Sequence, residues 1–415
     1  MYTVNNDSLQ SIADSIRKKA KTTEKMTFPA GFVSAIDGIE TGGGSAPVVV
    51  EEPVEKDINF YDYDGRRLFS YTAEEAAALT ELPTPPARDG LVFQEWNWTI
   101  DEVKKAKAAD IGALYTTDDG KTRLYVKIDN RARKDLTLNL YQAKAEDISV
   151  NWGDGSAAET SASTMGFSLS HTYESAGNYV ITLTIKNKTA IGIRYGTAKQ
   201  LLSGAGVNPD GSVYASNLYT NSLIKAELGD NIDMIGEEAF YGCQNLESIN
   251  IPNTVTSIKA ECFNDCRKLT WFSNPHTAFV YNFATKNSGL ARATFGGGGT
   301  AYGTASAFNK CLNLRRAAYP SKYTAVGSND FAGCYSLVEV VFSGNITKID
   351  GAAFQNCYAL KKLDFTNNTA VPSLASFTAL SNVPKDVEIL VPAALADTWK
   401  AATNWTAYAD NIKGV

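Results

Sequence analysis

Few residues in this chain stand where they could do chemistry. There are two histidines, His171 and His276, and six cysteines, at 243, 262, 266, 311, 334 and 357. Cys262-x-x-x-Cys266 is half of a metal-ligand pattern, but a structural zinc site needs four donors and no second half is present. Nor do the cysteines follow the spacing of a disulfide framework. Asp154 and His171 form an acid–base pair without a nucleophile in a recognisable motif. Asp62-x-Asp64-Gly65 begins like a calcium loop, yet the remaining ligand spacing is missing and a hairpin turn is the plainer reading. The expectation is a protein without enzymatic activity, metal or cofactor.

The strongest pattern is a repeat. Phe-x-x-Cys-x-x-Leu occurs from Phe240, Phe263, Phe308, Phe331 and Phe354, at spacings of 23, 45, 23 and 23 residues. The gap of 45 predicts a degenerate copy between 266 and 308, with Gly289 where cysteine is expected, and a last partial copy begins at Phe377. After each leucine a short alternating run predicts a strand with one buried face: Ile249 and Ile251, Ala317 and Tyr319, Val340 and Phe342, Leu363 and Phe365. One unit is too small to bury that face, so stacking must supply the core, with Phe, Cys and Leu in ladders. The cysteines then read as small buried residues.

The alternating strand positions are expected to face outward and offer a binding surface. They are Ser248 and Asn250, Trp271 and Ser273, Arg316, Glu339, Lys362 and Asp364. Of these, Trp271, Arg316, Glu339, Lys362, Asp364 and Asn250 are the candidate ligand-binding residues. Trp271 leads, because an exposed tryptophan can stack on a sugar or anchor a protein contact. The irregular copy, with His276, Tyr281, Phe283 and Gly296 to Gly299, is a further candidate for binding, weighed against its being a decayed repeat.

The 23-residue pattern resembles the BspA-like leucine-rich repeats of bacterial surface proteins and some phage proteins, over residues 223–382. The tail from 383 to 415, with Trp399 and Trp405, looks like that class's C-terminal cap. Upstream, Trp152-Gly-Asp154-Gly155, His171-Thr-Tyr173 and Ala176-Gly177-Asn-Tyr179 resemble the polycystic-kidney-disease-type (PKD) sandwich, placed at 111–188, with 189–222 as connection and solenoid N-cap. That resemblance implies a spacer or carbohydrate-contact domain with Asp154 and His171 in structural roles. Residues 58–110, from Phe60-Tyr-Asp-Tyr-Asp64-Gly65 onward, look like a small β-grasp-type module. Residues 1–40 carry two short amphipathic stripes (Leu9, Ile12, Ala13, Ile16, then Phe32, Ala35, Ile36, Ile39) and are similar to N-terminal attachment segments of phage tail and fibre proteins. A Gly/Ser/Pro linker follows at 41–57.

The expected fold is therefore mainly β and multidomain. A net charge of −6 and the lack of a basic run longer than Arg17-Lys18-Lys19 argue against nucleic acid as partner. No stretch approaches a membrane-spanning length, and the first residues lack a secretory pattern. These readings converge on a phage virion appendage such as a tail fibre. It would bind a host surface glycan or protein receptor, attach to other virion proteins through 1–40, and assemble as a homotrimer. The alternative is a bacterial cell-surface adhesin.

Overall fold

In a computed structural model the described residues are 56–415, apart from 129–134, 143–147, 164, 188, 192–199, 204, 208–212, 216–219, 276–278, 281–283, 294–305, 320 and 322. The expectations for 1–40 and most of 41–57 lie outside them, as do His276, Tyr281, Phe283 and Gly296 to Gly299. Residues Glu55–Val415 form one compact unit.

The chain enters through a four-stranded sheet: β1 (Ile58–Tyr61), β2 (Arg67–Tyr71), β3 (Leu91–Trp96) and β4 (Ala109–Thr117), in the order β2-β1-β4-β3. Helices α1 (Ala73–Ala77) and α2 (Ile100–Lys105) each start on a reciprocal capping box, Thr72 with Glu75 and Thr99 with Glu102. The module has its own apolar core, built on Ile58, Phe60, Trp96, Val103, Ile111 and Tyr115. Its last strand runs to Thr117, so the boundary expected at 110/111 falls inside β4. In the first turn Arg88 bridges the paired acids Asp62 and Asp64.

Next come β5 (Thr122–Ile128), β6 (Asp135–Gln142), β7 (Ile148–Asn151), β8 (Glu159–Ser161), β9 (Met165–Thr172), β10 (Gly177–Ile185), β11 (Thr189–Ile191) and β12 (Leu202–Ser203). They alternate buried apolar residues with exposed ones and form two sheets over a core containing Leu124, Leu138, Val150, Trp152, Tyr173 and Leu183. His171 Nε2 donates to the Asp154 carboxylate at 2.6 Å, and the ring stacks on Trp152 and packs edge-on to Tyr173. Hydrogen bonds from Ser156, and then from His171, hold the Asp154 carboxyl down at about 2. The pair braces the turn.

Neither sheet ends with the sandwich. After the hairpin of β13 (Ala205–Val207) and β14 (Val213–Ala215), strand β15 (Leu223–Glu227) pairs antiparallel with β5 and parallel with β17 (Ser248–Ile249). On the other side β16 (Ile232–Ile235) pairs parallel with β11 and with β18 (Ser257–Ile258), which pairs with β19 (Phe279–Val280). Each sheet of the sandwich thus continues into one wall of the solenoid, and a single apolar core runs from Leu124 to Ile412. The solenoid's first edge is hydrogen-bonded from its start, which removes an open strand edge. Residues 189–222 are accordingly less a separate connection than the place where β11 and β12 complete the sandwich.

Further on, β20 (Arg292–Ala293), β21 (Arg316–Tyr319), β23 (Glu339–Phe342), β25 (Lys362–Asp364), β27 (Glu388–Val391) and β28 (Ile412–Gly414) make one parallel sheet. The opposite wall is β22 (Ala325–Val326), β24 (Lys348–Ile349) and β26 (Ser373–Leu374). Between the walls each copy turns tightly through two left-handed residues. One lies two before the phenylalanine (Glu238, Glu261, Ser306, Asn329, Ala352) and one two after it (Gly242, Asp265, Lys310, Gly333, Asn356). The rings stack, Phe331 on Phe354 at 5.4 Å and Phe308 on Phe331 at 5.5 Å.

The conserved chemistry of the cysteine position is a hydrogen bond as well as a volume. After the first copy the ladder thiol donates to the carbonyl at the phenylalanine position of the preceding copy: Cys266 to Phe240 at 3.1 Å, Cys334 to Phe308 at 3.0 Å, Cys357 to Phe331 at 3.2 Å. In the degenerate copy the residue on this ladder is Ser288, not Gly289. Its hydroxyl lies 3.4 Å from the Cys311 sulfur, and Cys311 donates to Thr285, which occupies the phenylalanine position. The shift arises because the chain is one residue shorter ahead of this position, 16 residues from Leu269 to Thr285 against 17 from Leu246 to Phe263. Burial pushes the thiols up, Cys311 to about 11 and Cys357 to about 12. The native protein is therefore expected to leave all six cysteines unmodified by an aromatic disulfide reagent, and to react fully after denaturation. Rapid native labelling of Cys243, Cys266, Cys311, Cys334 or Cys357 would contradict the ladder.

At the far end α3 (Ala396–Ala401) and the turn after it bury Trp399 and Trp405 on Phe365, at 5.4 and 6.1 Å between ring centres. The Trp405 indole N–H donates to Pro372 O at 2.8 Å. This closes the core over the last copies.

Candidate functional site: the strand face and its cover

The outward strand positions do line one face in register. Lys225 sits beside Ser248, Arg292 beside Arg316, Arg316 beside Glu339, Glu339 beside Lys362, and Lys362 beside Glu388. What the sequence did not reveal is that the first module lies on this face. Residues 107–115, mostly β4, run along the solenoid from copy to copy. Lys107 donates to Thr366, Ala108 packs with Ala318 and Val341, Asp110 faces Arg292, Gly112 sits on Ser273, and Tyr115 O accepts from Asn250.

Trp271 is therefore not an exposed anchor. It is 3% exposed, with the Tyr61 ring at 4.6 Å and Gly65 against its Cβ. Asn250 is fully buried: its amide nitrogen donates to Tyr115 O and Leu228 O, both at 2.9 Å, and its oxygen accepts from Leu228 N at 2.6 Å. Both residues hold parts of this chain together, which corrects the expectation of a free ligand-binding role. Arg316 is half enclosed by Asp57 of the module at 2.6 Å and Glu339 at 3.3 Å. Glu339 also takes Lys362 at 2.6 Å. Asp364 accepts from the Thr366 backbone at 3.0 Å and its hydroxyl at 2.6 Å. The charged row is paired within the molecule, while Arg292 and Lys362 are each 36% exposed and Glu388 46%.

The residues that make this site and were missed are on the module: Asp57, Tyr61, Lys107, Asp110 and Gly112. A signal for them existed in the solenoid, where Trp271, Ala318 and Val341 are apolar at positions that should meet water. Apolar residues on an outward row imply a cover.

Electrostatics of the contact centre on Asp110, which is fully buried, with the Arg292 guanidinium at 3.7 Å. Burial raises its carboxyl above the ordinary value, against the pull of Arg292 and Arg316. A carboxyl whose pKa is raised on docking binds its proton more tightly in the docked form. It favours docking below the ordinary carboxylate pKa, and this contribution fades as pH rises through the raised value. Asp110→Asn is expected to flatten the pH dependence of the melting temperature on the acid side of neutrality. Parallel slopes in variant and parent would rule Asp110 out as its source.

Among the described residues no cluster of three or more His, Cys, Asp or Glu is placed to hold a metal, and no helix is long and apolar enough to cross a membrane. No curated protein matches the chain. Among solved structures it is similar to a leucine-rich repeat protein from Bacteroides ovatus, with 26% identity over 45% of this chain and 49% of that one and a TM-score of 0.38. It is also similar to a T. pallidum leucine rich repeat protein, with 22% identity over 38% and 87% of the two chains and a TM-score of 0.30. A third is a leucine rich cell surface protein from Faecalibacterium prausnitzii, with 14% identity, 51% and 97% coverage and a TM-score of 0.20. The chain spans about half the length of the first of these. Residues 212–295 and 303–385 match, in six copies, the family described as BspA type leucine rich repeat region. With the Phe, Cys and Leu ladders in place, the C-terminal solenoid of this mainly β chain is a BspA-type leucine-rich-repeat region.

Proposed function

We propose that the protein is a non-enzymatic recognition protein displayed on a bacterial cell surface, where its repeats contact a glycan or protein. The observation that carries this reading is the run of six BspA-type copies. Repeats of that class occur in bacterial surface proteins, and a solenoid capped at both ends offers an extended, rigid contact surface. The charged and apolar groups of the strand face are used internally, so contact with a partner falls to the surfaces the module leaves open.

A second reading is a virion appendage, and one observation favours it: the likeness of residues 1–40 to attachment segments of phage tail and fibre proteins. In that setting 1–40 joins other virion proteins, a homotrimer is the natural assembly, and the preceding modules would be the PKD-like and β-grasp-like spacers. Immunogold labelling of intact producing cells and of purified particles separates the two. Label on the envelope supports the cell-surface protein, and label on particles moves the assignment to the appendage. Label confined to the cell interior, with neither structure decorated, overturns both.

A further inference from the structure

The position directly after the ladder cysteine changes character along the solenoid. It is Gln244 and Arg267 in the first two copies, then Leu312, Tyr335 and Tyr358 in the last three complete ones. These three side chains are 45, 49 and 56% exposed, on the turn edge and away from the strand face that the module covers. The two tyrosine rings lie 5.2 Å apart, tilted by 42°. Large apolar groups in water at one repeated position are a cost without a packing return, and an aligned set of them marks a contact surface.

The surroundings say what kind of contact. Beside the rings runs the left-handed column Lys310, Gly333, Asn356. A Cβ at Gly333 would come within 3.3 Å of Lys310 Cγ and 3.8 Å of Tyr335 Cε1, so glycine there leaves the tyrosine clear on that side. The Asn356 carboxamide oxygen accepts from Asn382 at 2.7 Å and from the Tyr358 hydroxyl at 3.3 Å. Asn313 is exposed next to Leu312. The hydrogen-bonding groups shown beside the rings are the neutral amides of Asn356 and Asn382, and Lys310 stands in the same column. A ligand that suits them has apolar faces for the rings and hydroxyls for the amides, and carries no charge of its own. Three consecutive copies extend the row over about 10 Å, two strand spacings of about 4.8 Å. That length fits a chain of several rings better than one small molecule.

We propose that Leu312, Tyr335 and Tyr358 form a stacking platform for a neutral glycan chain, an inference that rests on the recognition reading above and names its ligand class. The test is affinity electrophoresis of the full chain in gels containing a neutral polysaccharide (mannan, galactan, starch or β-glucan) or a polyuronate. It compares the parent with Tyr335→Ala/Tyr358→Ala and with Tyr335→Trp/Tyr358→Trp. At least one neutral polymer is expected to retard the parent, with affinity falling about tenfold or more in the alanine variant and persisting in the tryptophan variant. Both tyrosines are exposed, so an unchanged melting temperature checks that the variants are folded.

Three results overturn the platform: no neutral polymer retards the parent, the alanine variant binds equally well, or sedimentation shows a dimer of this chain that the alanine variant abolishes. None of these touches the recognition reading if the labelled parent still adheres to intact cells. Failure of the parent to adhere to any cell or polymer refutes that reading as well.

Discussion

Trp271→Ala is expected to free the N-terminal module from the solenoid and to split thermal unfolding into two steps. The side chain is 3% exposed and lies between the Tyr61 ring and the backbone at Gly65 and Gly112. Its indole N–H has no acceptor among the described residues, so removing it sacrifices packing and no hydrogen bond. Truncating a buried tryptophan typically costs about 3–5 kcal/mol. The other parts of this contact include the small apolar cluster of Ala108 with Ala318 and Val341 and the ion pairs of Asp110 and Asp57. Such pairs are worth little once water reaches them. The module has a core of its own around Phe60 and Trp96, so undocking does not require it to unfold. Calorimetry and hydrogen exchange read this directly. One transition at the parental temperature, with protection unchanged in residues 107–115, would show that the contact does not depend on Trp271.

Gly112→Ala should have the second-largest effect, from the opposite side of the same contact. A Cβ at this position would meet Ser273 Oγ at 2.0 Å and Ser273 Cβ at 2.6 Å, with the Trp271 ring at 3.2 Å. No rotation of the serine relieves a clash with its own Cβ, so β4 must lift from the solenoid. Overpacking of this kind costs about 1–3 kcal/mol. The informative partner is Ser273→Gly, which removes both atoms in the way. The double variant is expected to regain most of the lost stability, a coupling that residues not in contact would not show. Simple additivity of the two changes would place the cause elsewhere.

The solenoid was legible because its signal is local and repeated. The Phe, Cys and Leu positions recur at a fixed spacing, and the buried alternation of Val340 with Phe342, or Leu363 with Phe365, is visible in any one copy. Alternation also places Arg316, Glu339 and Lys362 side by side on one face. It fails at the next step. Which face a residue points to is written into period two, but whether that face meets water depends on a partner element far away in the chain. Asp57 meets Arg316, and Lys107 meets Thr366, each pair 259 residues apart. Nothing local in Trp271 or Asn250 distinguishes a ligand anchor from an internal one. The join between sandwich and solenoid was hidden for the same reason, because the pairing of β5 with β15 spans some 100 residues. The slip from Ser288 to Gly289 has a different cause: a one-residue deletion between Leu269 and Thr285 defeats fixed spacing counted from Cys266.

Repeat proteins ordinarily lengthen or shorten by whole copies, because each copy touches only its neighbours. The segment 107–115 changes that freedom here. Its eight steps of about 3.4 Å, roughly 27 Å, lie against about five strand spacings of about 4.8 Å, roughly 24 Å, between the copies bearing Asn250 and Thr366. Adding or removing one copy between those points would shift one end of the bar by a full strand spacing while the other stayed fixed. Asp110 and Gly112 could not then both find their partners. Copy number between Asn250 and Thr366 is thus gauged by a rod of constant length, and related chains that keep this module should keep the count there and vary it only beyond Thr366.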